Sequence, residues 1–213
     1  MPRGIDLSRW RLLAVLVCVV LLAGLTAAVG SGVTMPFDLG LNASFEPYRA
    51  PWLLAAVLWI TGLGTGVSTV GMAAVASALL WSRGQGQLLR PLWTTFVGAE
   101  ATTWAMKFLV GRARPVFLPG VATASSPSFP SAHATATMAL IGILGYLVAM
   151  ARPDRSIVVA IVSAAMIGLI GFSRIFLNVH YPTDVLGGFL VGIAWLIVGS
   201  GLAEAGRAAR PLD

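Results

Sequence analysis

Two histidines, the only ones in this 213-residue chain, stand beside residue types that suit nucleophilic or acid–base chemistry. His180 precedes Asp184 by four residues, and His133 follows Ser131 by two. A carboxylate on one imidazole nitrogen fixes the tautomer and leaves the other nitrogen free to act as a nucleophile or a base. A single His/Asp pair is often only structural, so its interpretation depends on what the sequence places around it.

Cationic side chains accompany the histidines. Lys107 and Arg114 are seven residues apart, which on a helix is about two turns and puts both side chains on one face, about 10 Å apart along the axis. Arg174 stands six residues before His180. Long cations that reach a common point suit an anion with several oxygens. Each of them alone could equally extend from the end of a span to the membrane surface.

Ser131 stands directly before a long apolar block and is a candidate helix N-cap. That assignment puts His133 in the first helical turn, where free N–H groups and the positive end of the helix dipole favour a phosphate. Capping alone would explain Ser131. It would not explain a histidine beside lipid.

Together the three stretches resemble the signature Lys-x6-Arg-Pro, Pro-Ser-x-His and Ser-Arg-x5-His-x3-Asp of the type 2 phosphatidic acid phosphatase / vanadium haloperoxidase superfamily. The chain is similar to the membrane branch of that superfamily over most of its length. The fixed residues that occur in order are Lys107, Arg114, Pro115, Pro130, Ser131, His133, Ser173, Arg174, His180 and Asp184. Ala132 stands where the family usually has glycine, and because alanine keeps its backbone N–H we expect the change to be tolerated.

The resemblance implies a covalent phosphoenzyme. His180 would attack phosphorus while Asp184 holds its imidazole, and His133 would protonate the leaving oxygen and then activate water. The groups that would bind the phosphoryl oxygens are Lys107, Arg114, Ser131, Ala132 and Arg174. No metal and no other cofactor is expected, because cationic side chains neutralise the phosphoryl group and no carboxylate cluster is present to hold magnesium.

The composition is that of a membrane protein. Hydrophobic residues make up 57% of the chain and charged residues 10%, against about 25% charged residues in an ordinary soluble domain, and the mean hydropathy is +0.87. This excludes a soluble enzyme and a disordered chain, and the single Cys18 excludes an intramolecular disulfide. The net charge of +6 is scattered over short loops, which favours anionic lipid rather than nucleic acid as the partner.

Apolar blocks of about 18–25 residues are long enough to cross a bilayer. We therefore predict an all-α, polytopic membrane protein in which six transmembrane helices form one bundle and residues 1–213 form a single membrane domain. The predicted spans are approximately 12–29, 53–80, 92–110, 134–151, 157–177 and 185–203, with the phosphatase signature at 107–184. The first block could be mistaken for a signal peptide, but its length favours a retained span.

Glycines mark two features of these spans. Residues 53–80 would be about 43 Å long as one helix, so this block must tilt, protrude or bend at its glycines. The small-xxx-small spacings of Gly62/Gly66 and Gly188/Gly192 predict close helix packing at both places.

Loop charges predict the orientation. The two termini and the loops at 82–91 and 152–156 carry nine basic residues, and the alternate loops carry five. The positive-inside rule therefore puts both termini in the cytoplasm and the loops at 30–52, 111–133 and 174–184 outside an inner or plasma membrane. Because the candidate site residues begin or end spans on that outer side, the site is expected to face outwards.

A site at the level of the lipid headgroups favours a metal-independent lipid phosphatase whose substrate keeps its tails in the bilayer. The candidates are polyprenyl diphosphates, phosphatidic acid, phosphatidylglycerol phosphate and diacylglycerol diphosphate, of which a polyprenyl diphosphate such as undecaprenyl diphosphate is preferred. A lipid phosphotransferase of the same superfamily is the alternative enzyme, and a non-catalytic lipid transporter or scaffold is the alternative of another class. A haloperoxidase is disfavoured because those enzymes are soluble. The sequence leaves the oligomeric state open.

Two further polar residues remain to be placed. Glu100 lies seven residues before Lys107 on a similar helix face and could be structural or part of a proton or substrate path. Arg112 lies outside the signature and is expected to be merely interfacial.

Overall fold

The computed structural model describes residues 7–115 and 126–208. Every regular element in these ranges is helical, which confirms the all-α prediction. The helices are α1 (Leu7–Gly30), α2 (Met35–Ser44), α3 (Pro51–Gly62), α4 (Gly66–Ser82), α5 (Leu89–Val110), α6 (Ala132–Ala151), α7 (Ser156–Phe176) and α8 (Pro182–Ala208). Short 3₁₀ turns at Glu46–Tyr48, Gly86–Leu88 and Pro153–Arg155 join some of them.

The structure supports four or five of the six predicted membrane spans. Within the described ranges four helices are long and apolar enough to cross a bilayer, namely Ser8–Gly30, Ala132–Ala151, Pro153–Phe176 and Pro182–Arg207. The pair Pro51–Gly62 and Gly66–Ser82 would add a fifth if it forms one span. Six transmembrane helices are therefore not confirmed. Helix α5 is not among the four, and it carries the charged residues Arg90, Glu100 and Lys107.

The predicted bend of the second block is present. Helices α3 and α4 meet at an angle of 44°. Thr65 caps α4, because its side-chain oxygen accepts a hydrogen bond from the N–H of Ser68 at 3.3 Å. Gly64 lies in the break, where a Cβ would come within 2.7 Å of Ile170 and 3.1 Å of the ring of His133. The break therefore brings backbone close to a candidate site residue.

Helices α6 and α8 pack closely through small residues. A Cβ on Gly188 would lie 2.6 Å from the carbonyl oxygen of Ser131, and a Cβ on Gly192 would lie 2.6 Å from Cβ of Met138. This contact places the start of α6 beside the start of α8. The same expectation for Gly62/Gly66 is wrong, because a Cβ at either position meets none of the described atoms within 4 Å.

The opposite end of the bundle joins the start of α1 to the end of α8. Arg11 forms an ion pair with Glu204 at 2.5 Å, and the Tyr146 hydroxyl also donates to Glu204. The two described ends of the chain therefore lie on one face, away from the starts of α6 and α8. Arg3, Arg210 and residues 116–125, which entered the orientation argument, lie outside the described residues.

Many large apolar side chains face outwards. Trp59, Val67 and Leu109 are more than four-fifths exposed, which in a bundle of this composition indicates surfaces that contact lipid.

Candidate active site

Four segments converge at the end of the bundle where α6 and α8 begin. They are the stretch after α5, the stretch before α6, the turn between α7 and α8, and helix α2. Gly111 ends α5 in the left-handed conformation with φ +63, which favours glycine. Asn178 adopts φ +54 in the turn before α8, and Pro182 starts α8 with a ring suited to a first helical position.

The centre of the site is the pair formed by His180 and Asp184, both buried. Nδ1 of His180 lies 3.3 Å from Oδ2 of Asp184 and 3.3 Å from Oγ of Ser128. The same carboxylate oxygen accepts hydrogen bonds from the Ser128 hydroxyl at 2.5 Å and from the N–H of Tyr181 at 2.9 Å. These neighbours assign the ring proton to Nδ1, which leaves a lone pair on Nε2.

The environment keeps this ring neutral. Burial is the main cause that lowers the pKa of His180 to about 3; Asp184 opposes this shift, and the neighbouring cations Arg114 and Arg174 add to it. A neutral imidazole is the form that can attack an electrophile. At any pH well above 3 the Nε2 lone pair is therefore available.

Arg114 lies against that nitrogen. Its Nη1 is 3.0 Å from Nε2 of His180 and donates to the carbonyl of Val179 at 2.9 Å, while Nε donates to the carbonyl of Ser126 at 2.8 Å. Burial lowers the pKa of Arg114 and Asp184 raises it. Backbone carbonyls thus hold a cation beside the position where an anion attacked by His180 would lie.

Among the buried polar atoms without a hydrogen-bond partner in the described residues are Nε of Arg174 and Oγ of Ser131. Arg174 is fixed by Nη1, which donates to Thr61 at 2.6 Å. Ser131 occupies the N-cap position of α6, but its hydroxyl does not cap the helix. Since buried polar groups are normally paired, both atoms are suited to oxygens of a bound anion.

Lys107 is buried in the last turn of α5 and donates to the carbonyl of Pro127. It therefore supports the segment that carries Ser128, and it stays within electrostatic range of Arg114 and Arg174.

His133 lies in the first turn of α6, half-buried against Gly64. It is within electrostatic range of His180 and Arg174. Ala132 is the first residue of α6, and the one non-glycine residue with positive φ in the described ranges is Asn178. Alanine at position 132 therefore needs no left-handed backbone.

Arg112 is not merely interfacial; that expectation is wrong. It is buried, and it donates from Nη1 to Asp184 at 2.6 Å and to Thr183 at 2.8 Å, and from Nη2 to Asp38 at 2.6 Å. Its guanidinium also lies 4.3 Å from the centre of the Tyr181 ring. The turn after Gly111 directs this side chain inwards.

Sequence reasoning also missed residues of α2. Asp38 is fully buried. Asn42 donates to Asn178 at 2.8 Å and to the carbonyl of His180 at 3.2 Å. Arg49, which lies between the turn Glu46–Tyr48 and α3, donates to the carbonyl of Phe176 at 2.8 Å. The available signal was an acidic residue within the apolar stretch Met-Pro-Phe-Asp-Leu, but nothing in the sequence connects it to residues beyond 110.

Glu100 lies within electrostatic range of Lys107. This position is compatible with both roles considered for Glu100, a structural one and a place on a proton or substrate path.

Within residues 7–115 and 126–208, no three His, Cys, Asp or Glu side chains form a group that could hold a metal ion.

Comparison with known proteins gives consistent matches. The model of the PAP2 superfamily matches residues 87–205. The chain is 29% identical to phosphatidylglycerophosphatase B of Bacillus subtilis (strain 168) over 185 residues, covering 84% of this chain and 90% of that protein. It is 39% identical over 97 residues to decaprenylphosphoryl-5-phosphoribose phosphatase of Mycobacterium tuberculosis (strain H37Rv), covering 44% and 49%.

The fold is also similar to a solved structure. The crystal structure of a transmembrane PAP2-type phosphatidylglycerolphosphate phosphatase from Bacillus subtilis superimposes with a TM-score of 0.84 at 25% identity, covering 93% of this chain and 98% of that one.

The unpartnered hydroxyl of Ser131 gives a testable prediction. Ser131→Ala should leave thermal stability nearly unchanged but weaken binding of inorganic phosphate roughly tenfold or more, because a hydrogen bond to a charged group contributes about 1.5–3 kcal/mol. Calorimetric titration of the detergent-purified protein measures the affinity. The exposed Ser156→Ala is the matched control. A loss of stability with unchanged phosphate affinity would contradict the assignment.

Proposed function

Because this chain belongs to the PAP2 superfamily and is a membrane phosphatase, we propose that it hydrolyses a lipid phosphate through a phosphohistidine intermediate on His180. The observation that carries the proposal is the position of this ring, with Asp184 on Nδ1 and Arg114 at Nε2. The first side chain orients the nucleophile, and the second marks the place of the phosphoryl group.

In the first step, Nε2 of His180 attacks phosphorus and an N–P bond forms as the bond from phosphorus to the leaving oxygen breaks. The imidazole gains positive charge, which Asp184 stabilises. His133 gives its proton to the leaving oxygen. In the second step, His133 takes a proton from water, the water oxygen bonds to phosphorus, the N–P bond breaks and inorganic phosphate is released.

The cations have electrostatic roles in both steps. Lys107, Arg114 and Arg174 neutralise the phosphoryl oxygens, together with the hydroxyl of Ser131 and the N–H groups at the start of α6, which include that of Ala132. Charge fixed in place before the reaction is the main contribution a protein makes to phosphoryl transfer.

The substrate is a membrane lipid that brings its phosphate to the end of the bundle. One relative is named for a phosphatidylglycerophosphate activity and another for a decaprenyl-linked substrate. Both are lipids with a terminal phosphate. We propose a polyprenyl diphosphate or a phospholipid phosphate monoester, with the polyprenyl diphosphate preferred.

We also propose that both termini face the cytoplasm and that the site faces outwards. The distribution of basic loop residues supports this orientation. In intact cells, Ala113→Cys should react with an impermeant reagent added from outside, whereas Ser82→Cys should not, since both positions are exposed. The reverse labelling would overturn the orientation.

Phosphate release tests the activity. With EDTA present, the detergent-purified protein should release phosphate from undecaprenyl diphosphate or phosphatidylglycerol phosphate, and His180→Ala should abolish the release. Arg155→Ala, at the exposed turn between α6 and α7, is the control and should keep full activity. Release that survives in His180→Ala would contradict the mechanism, and release only when an alcohol acceptor is added would indicate a phosphotransferase.

His133 provides a test of the leaving group. A lipid monophosphate leaves more readily than an alkoxide, so diphosphate hydrolysis depends less on a general acid. His133→Ala should reduce monoester hydrolysis by about 10²–10⁴-fold and diphosphate hydrolysis at least about tenfold less than that. The measurement is the single-turnover rate at which the leaving group is released from both substrates with the same preparation, because the second step, in which His133 activates water, is common to both. Equal, near-total loss on both would refute this assignment.

A further inference from the structure

A guanidinium lies between two carboxylates at the buried side of the site. Arg112 donates from Nη2 to Oδ2 of Asp38 at 2.6 Å and from Nη1 to Oδ1 of Asp184 at 2.6 Å. All three side chains are buried. These three residues are called the Asp–Arg–Asp cluster here. Removing one member of such a buried set leaves an uncompensated charge, which costs far more than an exposed ion pair contributes.

Asp38 also fixes the helix that carries Asp184. Its Oδ1 accepts from the N–H of Thr183 at 3.1 Å, and its Oδ2 accepts from the Thr183 hydroxyl at 2.7 Å. Thr183 lies in the first turn of α8, whose N–H groups have no partner within the helix. A carboxylate of α2 therefore caps α8 one residue before Asp184.

The cluster carries one net negative charge. Outside the cluster, the hydrogen-bond partners of Asp184 are neutral, namely the Ser128 hydroxyl, the Tyr181 N–H and the uncharged His180 ring. Lys107 and Arg114 are also within electrostatic range of Asp184, but their charges are assigned to the phosphoryl group and are the same in every variant below. When Nε2 of His180 bonds to phosphorus, the ring becomes cationic. The single net negative charge of the Asp–Arg–Asp cluster, which contacts the ring through Asp184, balances that positive charge. Without Asp38, the positive charge of Arg112 would cancel that of Asp184.

We propose that Asp38 and Arg112 are positioning residues which together hold the Asp–Arg–Asp cluster at one net negative charge, so that Asp184 can stabilise the cationic His180 ring. The inference rests on the proposed phosphohistidine function. It concerns a residue outside the region matched by the PAP2 superfamily, residues 87–205, because Asp38 belongs to α2. Neither residue contacts the position of the phosphoryl group, so the effect falls on kcat rather than on KM.

The net charge of the cluster predicts that Asp38→Asn lowers kcat in the wild-type protein but raises it in Arg112→Met. Asp38→Asn alone leaves the cluster neutral and should lower kcat about tenfold, the factor that corresponds to one pKa unit of stabilisation. Arg112→Met leaves two buried carboxylates without a cation and should lower kcat about 100-fold. Adding Asp38→Asn to Arg112→Met restores a single negative charge on Asp184, so the double variant should be about tenfold faster than Arg112→Met alone.

The experiment is a double-mutant cycle of phosphate release in detergent, with kcat and KM measured separately. The exposed pair Asp154 and Arg155 provides the matched cycle, Asp154→Asn and Arg155→Met, which should change nothing. A gain in kcat on adding Asp38→Asn to Arg112→Met supports the proposal. If Asp38 only caps α8, Asp38→Asn should be harmful or neutral in both backgrounds, and that result would overturn it. A wild-type protein that releases no phosphate would overturn the proposed function itself.

Asp38→Asn alone provides a second measurement in case Arg112→Met does not fold. Vanadate imitates the transition state of phosphoryl transfer, whereas inorganic phosphate imitates the ground state. Asp38→Asn should weaken inhibition by vanadate about as much as it lowers kcat and leave inhibition by phosphate unchanged. Equal weakening of both inhibitors would show a structural defect and contradict the proposal.

Discussion

The buried carboxylate of Asp184 is the constraint on which the rest of the site depends. An ionised carboxylate removed from water is stable only when its oxygens are paired. Here the N–H of Tyr181, the hydroxyl of Ser128 and the guanidinium of Arg112 all donate to it. These donors come from the turn before α8, the stretch before α6 and the stretch after α5. Because each must reach one side chain, the ends of separate helices are held together, and the same set fixes the ring of His180.

Around this centre the charges suit a doubly negative phosphoryl group. Four buried or half-buried cations, Lys107, Arg112, Arg114 and Arg174, exceed the two carboxylates Asp38 and Asp184. Backbone carbonyls and hydroxyl groups rather than long ion pairs hold most of the cations, so they need little reorganisation when an anion binds. The lipid-facing helices contribute in a different way, because the small residues of α8 let α6 approach and bring Ser131 next to Asp184.

Much of the fold and part of the site could be predicted from the sequence. Hydropathy located the apolar helices, and glycines located the bend between α3 and α4, because both depend on local composition. The count of six spans is not confirmed, because α5 carries Arg90, Glu100 and Lys107 and is not among the helices that are apolar enough to cross a bilayer. Asp38 was missed and Arg112 was wrongly expected to be interfacial, because their contact joins residues 74 positions apart and no local pattern encodes such a pairing. At Gly62 and Gly66 a local pattern was present but misleading. Their spacing is typical of close helix packing, yet a Cβ at either position meets none of the described atoms within 4 Å.

The central claim is that Nε2 of a neutral His180, oriented by Asp184, is the atom that bonds to phosphorus. The most direct test is to trap the phosphoenzyme with a radiolabelled lipid phosphate under alkaline quench and to identify the modified nitrogen in the isolated peptide by NMR. The account predicts phosphate on Nε2 of His180. Phosphate on Nδ1, or on His133, would contradict it.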